Sequence, residues 1–237
     1  LGVVLDVDLG ARQASYRAFP QQALVHREQV EGGDLVIVTE GRTIWDVFKD
    51  NRFLGNSRLA NCSKFLKQQP AREWLDENCD PRDTVVYVGI DWTETHRLPA
   101  IQRSYQPFVA KAPLCEAPYL NRDQVLATLR RRGIEPPRLY GMGFAHANCG
   151  GGCVRAGQGQ FAVLLKQMPE RFAEWERNEQ ALRDHLGKDV SILRDRTGGT
   201  SVPLTLTAFR ERAESKPEQI DLFDVGGCGC FVSEEAA

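Results

Sequence analysis

The chain has 237 residues, 42% of them apolar and 26% charged, and a formal net charge of -2 with a pI near 6.2. That length fits one large domain or a domain with an appendage, and the composition is that of an ordinary globular protein rather than a fibrous or low-complexity one. The near-neutral charge excludes a general attraction to polyanions and leaves only local basic patches to be weighed.

No run approaches the roughly 18 apolar residues of a membrane-spanning helix, and no secretory signal is visible, so no membrane contact is expected. Seven cysteines, an odd number without the dense framework of a small secreted domain, fit reduced thiols in a cytoplasm. Metal binding or chemistry then competes with simple burial as their role. The first residue is Leu1, which suggests a fragment or an alternative start.

LGVVLDV (1–7) and DLVIV (34–38) are short β-branched runs bounded by turn residues and read as buried strands. The stretch between them is broken by Pro20 and keeps no steady helical period. TIWDVFKDN (43–51) predicts a short helix capped by Thr43, with Ile44, Val47 and Phe48 on one face. Residues 71–78 continue as a helix, with Pro70 near its start. TVVYVGI (84–90) is the strongest strand signal. The polar DWTETHR follows it, at the carboxyl end of a strand where open α/β sheets bind ligands.

NRDQVLATLRRRG (121–133) predicts a helix capped by Asn121 and stopped at Gly133. QFAVLLKQMPERFAEWERNEQALRDHLG is helical, with Pro169 as a kink or break and Gly187 as its end. SILRDRTGGTSVPLTL resembles a hairpin around Gly198 and Gly199. Alternating strands and helices predict an α/β fold with a mainly parallel, doubly wound sheet. The expected division is a domain over 1–140 and a helical and hairpin extension over 141–237 that carries the cysteine loops.

Three constellations carry chemistry. In NCSKFLK, Cys62, Ser63, Lys64 and Lys67 surround a helix start, where amides and the dipole attract anions and lower a thiol's pKa; the plain alternative is a solvated face with a half-buried cysteine. In GIDWTETHR, Asp91, Glu94, His96 and Arg97 put carboxylates and a guanidinium on one loop. Arg97 suits a phosphate and Glu94 suits orienting it, against a surface ion pair with a cap at Thr93.

The third constellation joins NCGGGCVRAG to DVGGCGCF. Cys228 and Cys230, one residue apart, do not readily close on each other but point to one side of an extended segment. With Cys149 and Cys153 they make a four-thiolate set for zinc or an iron–sulfur cluster, while a redox pair and inert buried cysteines stay open. Cys115 is a substitute ligand, His146 a ligand or a hydrogen-bond donor to one, and Cys79 a packed cysteine. Phe161, Phe172 and Trp175 read as core, and ATLRRRG as a basic helix end whose default is solvation.

NCSKFLK, VVYVGIDWTETHR, PLCEAPYL, FAHANCGGGCVRAGQGQF and GGCGCF together resemble the phosphoadenosine phosphosulfate reductase-like branch of the adenine nucleotide alpha hydrolase (N-type ATP pyrophosphatase) superfamily, over residues 34 to 232. The resemblance implies a doubly wound parallel sheet and an adenine nucleotide, ATP or phosphoadenosine phosphosulfate, bound at the strand ends. It implies reductive or transferase sulfur chemistry with a thiol electron donor or a nucleic-acid acceptor as partner.

Cys62, Ser63 and Lys67 look similar to the family's sulfate or phosphate segment, with Cys62 as the thiol nucleophile. Gly89, Glu94 and Arg97 look similar to its glycine, glutamate and arginine substrate loop, and Asp91 beside them is a further candidate substrate-binding residue. Relatives that insert sulfur into nucleic acid carry cysteine-bound iron–sulfur clusters. The family's Ser-Gly-Gly-x-Asp-Ser pyrophosphate loop is absent, since Glu31-Gly32-Gly33-Asp34 lacks both serines. LGVVLDVDLG is expected to correspond to the family's second strand, with Asp6 or Asp8 near the nucleotide and the loop lost upstream. A non-catalytic, metal-stabilised module that binds protein or nucleic acid is the alternative.

Overall fold

The computed structural model describes residues 4–7, 35–55, 59–196 and 199–226. Residues 8–34, and with them the Pro20 stretch, Asp8 and the Glu31–Asp34 sequence, lie outside the described residues, as do Cys228 and Cys230.

By its contacts the chain forms two compact units, one of residues up to Gln68 together with Pro137 onward, the other of Gln69–Pro136. The return at Pro137 lies close to the boundary expected at 140. The segment before Gln69 nevertheless belongs with the C-terminal part, because its apolar side chains have their partners there.

In the first unit, β1 (Val4–Val7) pairs in parallel with β2 (Leu35–Val38), with Val4 opposite Leu35 and Val7 opposite Val38. Helix α1 (Ile44–Asp50) starts at Thr43, whose hydroxyl accepts from the Asp46 amide while the Asp46 carboxylate accepts from the Thr43 amide. This reciprocal cap satisfies two amides that a helix start otherwise leaves unpaired. The helix buries Trp45, Val47 and Phe48. Helix α2 (Asn61–Ser63) leads into a π-helical turn, Lys64–Gln68.

Later in the chain come α6 (Arg138–Gly141), α7 (Gln158–Gln167) and α8 (Pro169–Leu186). Pro169 is a break between two helices, sitting in the first turn of α8 where no amide is needed, and left-handed Gly187 (φ 62°) ends that helix. An antiparallel pair, β5 (Leu193–Asp195) and β6 (Val202–Leu204), forms the predicted hairpin, and α9 (Leu206–Ser215) follows. Phe48, Phe161, Leu164, Phe172, Trp175 and Phe209 are buried in one core. Its rings meet edge-on, Trp45 with Trp175 at 5.2 Å and Phe161 with Trp175 at 5.9 Å.

The second unit contains α3 (Gln69–Asn78), β3 (Val85–Tyr87), α4 (Leu98–Tyr105), β4 (Val109–Lys111) and α5 (Arg122–Arg131). β3 and β4 run parallel through the α4 crossover, and Val86 and Ala110 face a small core with Ile90, Ile101 and Ala112. The Asn121–Gln124 capping box starts α5 as its sequence predicts.

One expectation is corrected here. TVVYVGI forms a strand only over Val85–Tyr87, and Val85, Tyr87 and the neighbouring Val109 are exposed, so the run is not buried on both faces. The described strands make three separate two-stranded sheets, two parallel and one antiparallel. The chain is thus mixed α/β and rich in helix, with short parallel pairs.

Candidate functional site

Cys62, expected at a separate anion site, meets the cysteine loop inside the first unit. Its side chain is 8% exposed and shares the core with Cys153, and Cys149 packs against the same cluster. Burial pushes the Cys62 thiol up to about 12, and the neighbouring Cys149 acts in the same direction, against a smaller lowering by Lys67. Cys153 is raised well above the usual thiol range, first by its hydrogen bond with the Cys149 side chain, then by burial and by the charge of Cys149 and Cys62. The three sulfurs therefore feel one another. The lowered pKa expected for Cys62 from its place near a helix start is corrected, because desolvation outweighs the amides.

The loop that carries two of these thiols is built by backbone conformations that side chains rarely adopt. Cys149 (φ 49°, ψ 32°) and Gly150 (φ 63°, ψ 35°) are both left-handed, and Gly151 has φ 93°. Only glycine enters this region without cost, so a left-handed cysteine is a strained position held by its surroundings.

Gln160, on α7 and almost wholly buried, supplies much of that hold. Its side-chain amide donates to the carbonyls of His146 and Gly151, both at 3.1 Å, and its carbonyl accepts from Ala145 N at 3.1 Å. Arg171 donates to the Cys149 carbonyl at 3.0 Å. Gly152 lies against Trp175 so closely that a Cβ there would stand 2.4 Å from the indole. Below the loop, Arg155 N points to the Cys153 sulfur at 3.5 Å.

A strap over residues 220–226 packs on the same loop. Gly226 bridges to Ala156, Asp224 accepts from Gly159 N through its carbonyl at 2.9 Å, and its carboxylate receives Arg196 at 3.2 Å. No Cβ fits at Gly157 or Gly159 beneath the strap.

Ser63 Oγ is buried and has no hydrogen-bond partner among the described residues. It sits immediately before the π-helical turn, an irregularity frequent at functional sites. Neither feature has a sequence signal beyond the small hydroxyl beside Cys62.

GIDWTETHR lies in the other unit. Its WTETHR part is a 3-10 helix, Trp92–Arg97, and the cap is Asp91, not Thr93; the Asp91 carboxylate accepts from Thr93 N at 2.8 Å. Arg97 is 6% exposed and ion-paired with Glu94, which is 32% exposed, so the pair is half-buried. A Cβ at Gly89 would meet nothing within 4 Å, so packing does not require glycine there. Cys115 donates its thiol to the Asp91 carbonyl at 3.2 Å and braces this loop.

Among the described residues, no group of three or more His, Cys, Asp and Glu side chains is arranged so that it could hold a metal ion. No helix of the described chain is long and apolar enough to cross a membrane. No protein-family model, curated protein or solved structure matches the chain.

Proposed function

We propose that this chain binds an adenine nucleotide or a phosphosulfate and serves reductive or transferase sulfur chemistry, as its likeness to the phosphoadenosine phosphosulfate reductase-like family implies. The observation that carries the reading is the meeting of Cys62, from NCSKFLK, with Cys149 and Cys153, from the glycine loop. Two sequence motifs far apart in the chain supply one set of sulfurs. The parallel β3–β4 crossover, with a polar loop after its first strand, is compatible with the doubly wound sheet of that family.

The described cysteines do not by themselves form a metal site, so zinc or an iron–sulfur cluster would be held by Cys62, Cys149 and Cys153 only with a further thiol, Cys228 or Cys230 in the four-thiolate reading of the sequence. Burial at Cys62, and the Cys149 hydrogen bond with burial at Cys153, raise these thiols above the usual range, and ligation requires them to lose their protons. The unpartnered Ser63 hydroxyl fits a site that takes an occupant. A bound cluster would supply electrons or hold sulfur, and zinc would supply structure.

The chain's own groups set the surroundings. The apolar core excludes water from the thiols, Lys67 favours the Cys62 thiolate, and the Arg155 amide favours the Cys153 thiolate. In this reading Lys67 and Arg97 grip the anionic groups, with Glu94 orienting Arg97.

A metal-stabilised module without turnover is the second reading, favoured by the raised Cys62 pKa, since a protonated buried thiol is a poor nucleophile at neutral pH. Calorimetric titration of the full chain with ATP and with phosphoadenosine phosphosulfate separates the two. Heat of binding supports the nucleotide reading, and no heat with either leaves only the module.

A further inference from the structure

The second unit exposes two aromatic rings that its own core does not use. Trp92 is 41% exposed and Tyr119 64% exposed, with ring centroids 6.3 Å apart at an interplanar angle of 63°. The indole is held in place. Its N–H donates to the Leu120 carbonyl at 3.1 Å, Thr95 Oγ1 donates to the Trp92 carbonyl at 2.6 Å, and Cys115 braces the residue before it. With its only polar atom satisfied inside the unit, the exposed part of the indole offers a π face and little else.

Helix α5 begins beside this pair, since Leu120 and its cap Asn121 follow Tyr119 directly. Its far end carries Arg130 and Arg131, with Arg132 as the next residue, all exposed and none in an ion pair among the described residues. At 1.5 Å per residue the arginines stand roughly 15 Å from the aromatic pair. That distance exceeds the span of one nucleotide, so a ligand that stacks on the rings and also neutralises the arginines is a strand. Asp123 lies in the first turn, where the helix dipole favours it, and Glu135 follows the arginines. Both temper the field and keep the affinity modest.

We infer that Trp92 and Tyr119, together with Arg130, Arg131 and Arg132, form a docking surface for single-stranded nucleic acid. Stacking is tolerant of sequence because every base has a π face, and guanidinium groups track the phosphates. The inference rests on the sulfur-chemistry reading only in making this strand the acceptor.

The test is fluorescence anisotropy of the full chain with labelled DNA and RNA single strands of about ten nucleotides, at salt between about 50 and 200 mM. Binding is expected with at least one of the two, weakened about 5- to 100-fold by Trp92→Ala or Tyr119→Ala and largely kept by Trp92→Phe and Tyr119→Phe. Replacing the three arginines by alanine should flatten the salt dependence by a slope of about 2. AMP and ATP should not compete.

Absence of binding at low salt, or wild-type affinity in both alanine variants, overturns the inference. Equal competition by AMP makes this a mononucleotide site and overturns it as well. Metal content and heat of nucleotide binding are measured separately. A chain that holds metal and binds ATP but ignores the strands fails this inference alone, and the reverse result fails only the sulfur-chemistry reading.

Discussion

Replacing Gly152 by alanine perturbs the cysteine loop without touching a thiol. The new Cβ would stand 2.4 Å from Trp175 Cε2 and 2.6 Å from its Nε1, against the roughly 3.5 Å at which carbon atoms rest. Backbone or ring has to move by about 1 Å. The ring is poorly placed to yield, because Trp175 is 2% exposed and packs edge-on against both Trp45 and Phe161.

The backbone therefore shifts, and it carries the adjacent Cys153 with it. Overpacking of this kind costs about 1–3 kcal/mol, and a rigid aromatic neighbour puts the value toward the upper end. Chemical denaturation should show a lower midpoint with an unchanged slope, alongside a weakened metal or cluster content. A change below about 0.5 kcal/mol, the usual range of a surface substitution, would refute the packing argument.

Three further outcomes follow from named contacts. Gln160→Ala removes one acceptor and two donated bonds from the loop over Ala145–Gly151 and should cost about 2–4 kcal/mol in denaturation, with Gln160→Glu failing to restore it because a carboxylate cannot donate. Glu179, 1% exposed, accepts from Ile192 N at 2.8 Å and Leu206 N at 2.6 Å, and burial raises its pKa despite those amides.

The folded state therefore holds the Glu179 proton more tightly than the unfolded one. This contribution to stability is full below the unfolded pKa and is lost as pH rises through the folded value. Melting temperature followed upward from about pH 4.5 should show that loss in the natural chain, and Glu179→Gln should remove it while lowering stability overall. Asp224→Ala removes the carboxylate that reaches Gln158 N and Arg196 and should loosen the strap, costing about 1 kcal/mol and speeding hydrogen exchange over 220–226.

Local features were legible because their physics is local. Thr43 with Asp46 three residues on, Asn121 with Gln124, Pro169 opening a helix and Gly187 closing one all act within a turn or two. The cap at the start of WTETHR was misassigned because Asp91 and Thr93 are both good caps, and only the backbone shows which amide lacks a partner. The π-helical turn after Ser63 leaves no residue signature. Neither does the role of Gln160, because a polar residue on a helix is expected outside and only the loop it fills explains its burial.

Cys62 was read apart from Cys149 and Cys153 because cysteine spacing informs on ligand sets only within short loops. The Trp92–Tyr119 pair joins segments that no periodicity links, and a tryptophan among polar residues was the sole hint of it.

The central claim, that Cys62, Cys149 and Cys153 act as one site, is tested most directly by metal analysis and visible absorption of the full chain purified without oxygen, beside its Cys62→Ser variant. The account predicts stoichiometric zinc, or iron with the brown absorption of a cluster, in the natural chain, and its loss or an affinity about 10- to 100-fold weaker in the variant at unchanged helix content. Equal metal content in both proteins, or none in the natural chain, would contradict it.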